Sequence, residues 1–150
     1  MVVAEGGVWI WCKATIRLRL SDERRLFFRI LAAMFFVAAG ANHFHAPAVY
    51  LDMMPPRLPS PLTLIYISGA AEILGGIGIC VPAARKFSGW GLIALLVAVF
   101  PANLHVALQG HMPGFDFSPW ILWLRLPLQL VAIGWVWWTT LAPARNETLD

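Results

Sequence analysis

Six polar side chains, His43, Glu72, Asn103, His105, Arg125 and Gln129, interrupt the long apolar runs of this 150-residue sequence. Residues of these types can bind a polar ligand or hold and pass on a proton. Glu72 stands mid-run in the second apolar stretch and Arg125 inside the fourth. An ionised side chain at bilayer depth costs about 2.5–3.5 kcal/mol on insertion scales, so each must face protein, water or an opposite charge. Glu72 and Arg125 are therefore expected to define the inside of a helical bundle. A buried pair between them would act either as a lock on helix register or as part of a functional site.

Counting at 1.5 Å per residue from one outer boundary puts His43 within about 6 Å of the surface and His105 at about 6 Å. The same count puts Asn103 and Arg125 at about 9 Å and Glu72 at about 16 Å. The expected site is a cavity opening outward, lined by at least two of Glu72, Asn103, His105 and Arg125, with Gln129 on the face of Arg125 and His43 near the mouth. His45 and His111 fall at headgroup depth, where imidazole is commonplace. No metal-ligand grouping appears. Cys12 and Cys80 are far apart and lack a C-x-x-C spacing, so neither a disulfide framework nor thiol redox chemistry is encoded, and both are expected to be reduced. A haem between His43 and His105 is disfavoured, because both sit near the surface and no paired histidine pattern repeats.

The elements that must carry these side chains follow from composition. With 59% apolar residues, 13% charged residues and a mean hydropathy of +0.70, the chain departs from the globular balance of roughly 45–50% apolar and about 25% charged. Four spans are predicted, at about 26–44, 61–81, 87–109 and 119–141, each long enough for a hydrocarbon core of roughly 30 Å. The fold class is all-α, a four-helix transmembrane bundle. Residues 1–20 are a poorly defined N-terminal segment, 21–142 the membrane domain and 143–150 a short polar tail. The apolar patch from Val8 to Cys12 is too short for a signal h-region, so insertion by the first span is expected. Ser21 offers an N-cap, with Asp22 and Glu23 in the following turn, and predicts the start of helix 1.

Net charge of +3 resides in Lys and Arg clustered beside the apolar runs, which points to the lipid bilayer as partner and not to nucleic acid. Lys13, Arg17, Arg19, Arg24, Arg25 and Arg29 precede or open span 1, Arg85 and Lys86 link spans 2 and 3, and Arg145 follows span 4. The positive-inside rule then predicts both termini in the cytoplasm. Small residues in spans 2 and 3, including Ala94, Ala98 and Ala102, predict close packing of those two spans on each other. Pro101 and Pro127 are expected to kink spans 3 and 4. The proline-rich segment from His45 to Ser60 reads as an amphipathic outer cap, and Trp135, Trp137 and Trp138 as an interfacial aromatic belt.

The order of motifs, Gly40-x-x-His43-Phe44-x-x-Pro47-x-x-Tyr50, Met54-Pro55-x-x-Leu58-Pro59, Ser68-Gly69-x-x-Glu72-Ile73-x-Gly75-Gly76 and Phe100-Pro101-Ala102-Asn103-Leu104, resembles the DoxX family of four-span membrane proteins. The resemblance extends from about Leu26 to the end of span 4. It implies a multi-pass bundle in the bacterial cytoplasmic (inner) membrane, with His43, Glu72 and Asn103 as motif positions. Some DoxX relatives are subunits of quinone-linked oxidases or of thiosulfate:quinone oxidoreductase, and distant eukaryotic relatives are receptor chaperones. Three functions are therefore weighed. The first is an accessory subunit of a membrane redox or quinone-linked complex, with quinone as the cofactor class, joined to other membrane subunits or to further copies of itself. The others are a membrane-protein assembly factor or chaperone, and a small-solute transporter.

Overall fold

Three of the five helices open on a proline at their first position, where the missing N–H costs nothing and the fixed φ suits the first turn. In this computed structural model, which describes residues 5–55, 58–111 and 118–143 (residues 5–21 as backbone), the helices are α1 (Glu5–His45), α2 (Pro47–Met53), α3 (Pro61–Gly78), α4 (Arg85–Gln109) and α5 (Pro119–Thr140). Pro47, Pro61 and Pro119 are the openings. Gly110 ends α4 in the left-handed region at φ 71°, a conformation glycine adopts without steric penalty. Arg57, most of the 110–118 loop and all of the expected tail after Pro143 lie outside the described residues.

Four helices are long and apolar enough to cross a membrane: the Asp22–His45 part of α1, and α3, α4 and α5. The chain is a multi-pass membrane protein built as a four-helix bundle, entirely helix and connecting turn among the described residues. We call its two ends the histidine end, where α1 stops at His45, and the arginine end, where Arg25 and Arg29 lie.

Ser21 does not start a helix. α1 runs unbroken for 41 residues from Glu5, since no proline precedes Pro47 and a lone cap signal does not break a helix whose neighbours all tolerate it. The helix stops where it does because Ala46, placed before Pro47, is pushed off helical geometry (φ −131°, ψ 58°).

The core divides into two clusters. Toward the arginine end, Ala32, Ala33 and Phe36 of α1 pack with Ile79, Leu92 and Val136. At the histidine end, Met53 of α2 is buried with Val106 and Leu122, and Val49 and Tyr50 pack onto them. The cap predicted for the segment after span 1 is thus a short helix seated on the ends of α4 and α5.

The small-residue expectation holds for Gly75 and Gly78 of α3 but not for the alanines of α4. α3 turns Gly69 and Gly76 toward α1: a Cβ on Gly69 would come within 2.7 Å of His43, and one on Gly76 within 3.0 Å of the Ala33 carbonyl. Ala94 and Ala98 of α4 are exposed. Contact between α3 and α4 is made instead by Leu92 against Gly75 and Ser88 against Gly78. Helices approach most closely where both present small residues, and α1 offers Gly40 and Ala33 seven residues apart to match Gly69 and Gly76.

Candidate functional site

Two glycines bring the site together. A Cβ on Gly40 would lie 2.5 Å from the Gly69 carbonyl oxygen, 2.8 Å from Ile73 and 3.0 Å from the Cβ of Glu72, so only a bare backbone permits α1 and α3 to meet here. His43 lies three residues after Gly40 and Glu72 three residues after Gly69, which places both on the faces that touch. Because the two helices run in opposite directions, His43 reaches back along α3 toward Glu72.

The resulting pair is nearly buried, its side chains 11% and 13% exposed, with His43 Nε2 3.7 Å from Glu72 Oε2. This is ion-pair range, beyond a direct hydrogen bond. The other ring nitrogen, Nδ1, lies 3.2 Å from the Ile65 carbonyl oxygen. A carbonyl only accepts, so Nδ1 carries a proton and donates it. In the neutral ring the Nε2 lone pair therefore points at the carboxyl group. Glu72 Oε2 is buried without a hydrogen bond among the described residues. Facing a carboxylate, that lone pair would be repelled, and an unsatisfied buried charge is costly. The two groups complement each other only when they share one proton, held on either side of the gap.

Tyr50 of α2 closes the site. Its ring stacks on His43 with centroids 3.9 Å apart and planes at 23°, and its hydroxyl accepts a hydrogen bond from Asn42 Nδ2 at 2.9 Å. Tyr50 is also within electrostatic range of Arg125. On the next residue of α1, Phe44 stacks on Tyr66 with nearly parallel rings 5.4 Å apart. Ser68 donates to the Leu64 carbonyl of its own helix at 2.5 Å.

A second polar cluster lies between α4 and α5. Gln129 accepts from Asn103 Nδ2 at 2.9 Å and donates to the Leu96 carbonyl, so one buried amide grips α4 on both sides of Pro101. Both helices continue through their prolines. This clamp holds the segment that Pro101 weakens by removing a backbone donor.

Of the six residues singled out in the sequence, the structure joins His43 to Glu72 and Asn103 to Gln129. It does not join Glu72 to Arg125: the ion-pair partner of Glu72 is His43. The reason is packing, since α1 and not α5 lies against the glutamate face of α3. His105 is half-buried and makes no side-chain hydrogen bond or ion pair among the described residues. No group of three or more His, Cys, Asp or Glu among the described residues could hold a metal ion.

Sequence reasoning missed two arginines. Arg25 donates to the Ala142 and Pro143 carbonyls at 3.2 and 3.1 Å, and Arg29 to the Thr139 carbonyl at 3.0 Å. Arg29 satisfies a carbonyl of the last turn of α5, Arg25 grips the two residues just past its C-cap, and both place positive charge at the negative end of its dipole. Their four-residue spacing on one face of α1 is the signal in the sequence, whereas the positive-inside reading uses them for orientation and lipid contact only.

The family defined as a domain of unknown function, DUF8561, matches residues 31–140. The chain belongs to the DUF8561 family. The matched region of this DUF8561 member contains the histidine–glutamate pair and the Asn103–Gln129 clamp, and begins after Arg25 and Arg29. No curated protein matches the chain. No solved structure matches it either.

Proposed function

We propose that this DUF8561 protein is a DoxX-like accessory subunit of a membrane redox or quinone-linked complex, in which His43 and Glu72 take up and release one proton inside the bilayer. The observation that carries the reading is the buried Glu72 oxygen without a hydrogen bond, set 3.7 Å from an imidazole nitrogen whose partner nitrogen is already committed. The hydroxyl of a reduced quinone, or a similar donor, suits such an acceptor, and a pair that exchanges a proton there assists the redox step.

Support for the DoxX resemblance comes from what its motif positions do. Gly40 and Gly69 make the close contact, His43 and Glu72 form the pair, and Pro101 and Asn103 enter the clamp. The positive-inside rule supports a cytoplasmic arginine end, since the span of α1 and the whole of α4 start there with Arg24, Arg25, Arg85 and Lys86. A bacterial inner-membrane location is part of the same proposal.

The test is extraction of detergent-purified protein for quinones, together with an oxidised-minus-reduced absorbance spectrum. Wild type is expected to retain a quinone. Glu72→Gln is expected to lose at least about tenfold in occupancy, as removal of one charge-assisted hydrogen bond implies, while its thermal unfolding stays at or above that of wild type because no charge is left buried. Protein free of quinone and spectrally silent would sink the proposal. An assembly role is the second reading, favoured by Gly91, Ala94 and Ala98, which form an exposed face of small residues on α4. Recovery of one membrane protein in constant ratio, with no redox cofactor, would select it.

A further inference from the structure

The seam between α1 and α5 is built differently from the others. Phe28 and Leu31 on α1, with Val131, Gly134, Trp135 and Trp138 on α5, line a groove of about 440 Å³ open to the bilayer. Its walls are fixed: Trp135 Nε1 donates to the Phe28 carbonyl at 3.1 Å, and the Phe28 and Trp138 rings meet edge to face with centroids 5.6 Å apart. Its floor is open, because a Cβ on Gly134 would meet nothing within 4 Å.

The shape and surroundings restrict the occupant. From Val131 to Trp138 the groove follows α5 for about 10 Å. A helix of about 10 Å diameter occupies roughly 800 Å³ over that length, more than the groove encloses, so a second transmembrane segment would lie over its mouth. An alkyl chain lying along the bundle fits. The groove ends at Phe28 and Trp138, at the arginine end, where Arg25 and Arg29 bond carbonyls in the last turn of α5 and just past it. Arg24 stands on the groove face itself, four and seven residues before Phe28 and Leu31. An apolar slot leading to a cluster of guanidinium groups matches a molecule with an alkyl chain and an anionic head.

We propose that this groove holds one acyl chain of an anionic phospholipid, whose phosphate lies at the arginine end against Arg24. The site is separate from the His43–Glu72 pair and does not depend on the redox reading.

Native mass spectrometry of the delipidated protein, titrated with dioleoyl phosphatidylglycerol or dioleoyl phosphatidylcholine, tests it. One phosphatidylglycerol is expected to bind about fivefold or more in preference to phosphatidylcholine, the worth of one basic residue near the surface. Arg24→Gln should abolish the preference while chain binding persists. Gly134→Phe should fill the floor and remove both lipids. Where Gly134→Phe does not fold, Val131→Trp fills the same space from a position 64% exposed. Equal binding of the two lipids overturns the proposal, as does lipid retention in the filled groove. A dimer that forms without lipid and is lost in the filled variants assigns the groove to a second copy and also overturns it.

Discussion

α1 takes part in two seams that could hardly differ more. Against α3 it presents Gly40 and Ala33, and the backbones come into contact. Against α5 it presents Phe28 and Leu31, and aromatic rings hold the backbones apart around a groove. The first seam is tight enough to nearly bury a histidine and a glutamate, whereas the second is tied by a tryptophan hydrogen bond and two arginines at its end. In hydrocarbon, lipid tails are as apolar as leucine, so the size of the facing residues and the placement of a few polar bonds decide how near two helices come. One helix can thus supply both a dry polar site and a lipid-sized opening.

The contrast is open to direct attack. Gly40→Ala should have the largest effect, because its new methyl group would lie 2.5 Å from the Gly69 carbonyl oxygen, and backbone cannot step aside. About 3 kcal/mol of stability is expected to be lost, read as a lower midpoint of thermal unfolding in detergent; an unchanged midpoint would mean that the α1–α3 seam has slack. Arg29→Gln should cost about 1 kcal/mol by weakening the bond to the Thr139 carbonyl. The check is faster hydrogen exchange in the last turn of α5, with the α1–α3 seam unaffected. Gly134→Ala should have the smallest effect and the opposite sign, a gain of about 0.5 kcal/mol, since a methyl group there touches nothing and alanine favours helix. A loss comparable to that of Gly40→Ala would erase the distinction between the two seams.

The spans themselves were legible in the sequence, because a continuous apolar run of that length has few alternatives. His43 and Glu72 were legible as individuals, each placed three residues after a glycine in the motifs. Their partnership was not. Counting depth from one common boundary separated them by about 10 Å, whereas α1 ends deeper than α3 begins, with His43 level with Ile65 and Gly69. That stagger is set by the contact of Gly40 with Gly69, a fact about two helices that neither sequence segment contains alone. The Glu72–Arg125 expectation failed for a related reason: opposite charge suggested a pair, but the neighbour of α3 on that face is α1. Gln129 was singled out for the face it shares with Arg125, yet its grip on both sides of Pro101 depends on how α5 docks. Ser21 shows the limit of local signals, since good capping chemistry at one residue does not interrupt a helix with no proline across 41 residues.

α1 also has a mechanical consequence. At 1.5 Å per residue its 41 residues make a rod of about 60 Å, twice the thickness of the hydrocarbon layer. The portion before Asp22 continues the same helix beyond the span. A tilt of α1 would bear first on its tightest contact, the Gly40–Gly69 crossing beside which the His43 imidazole is held.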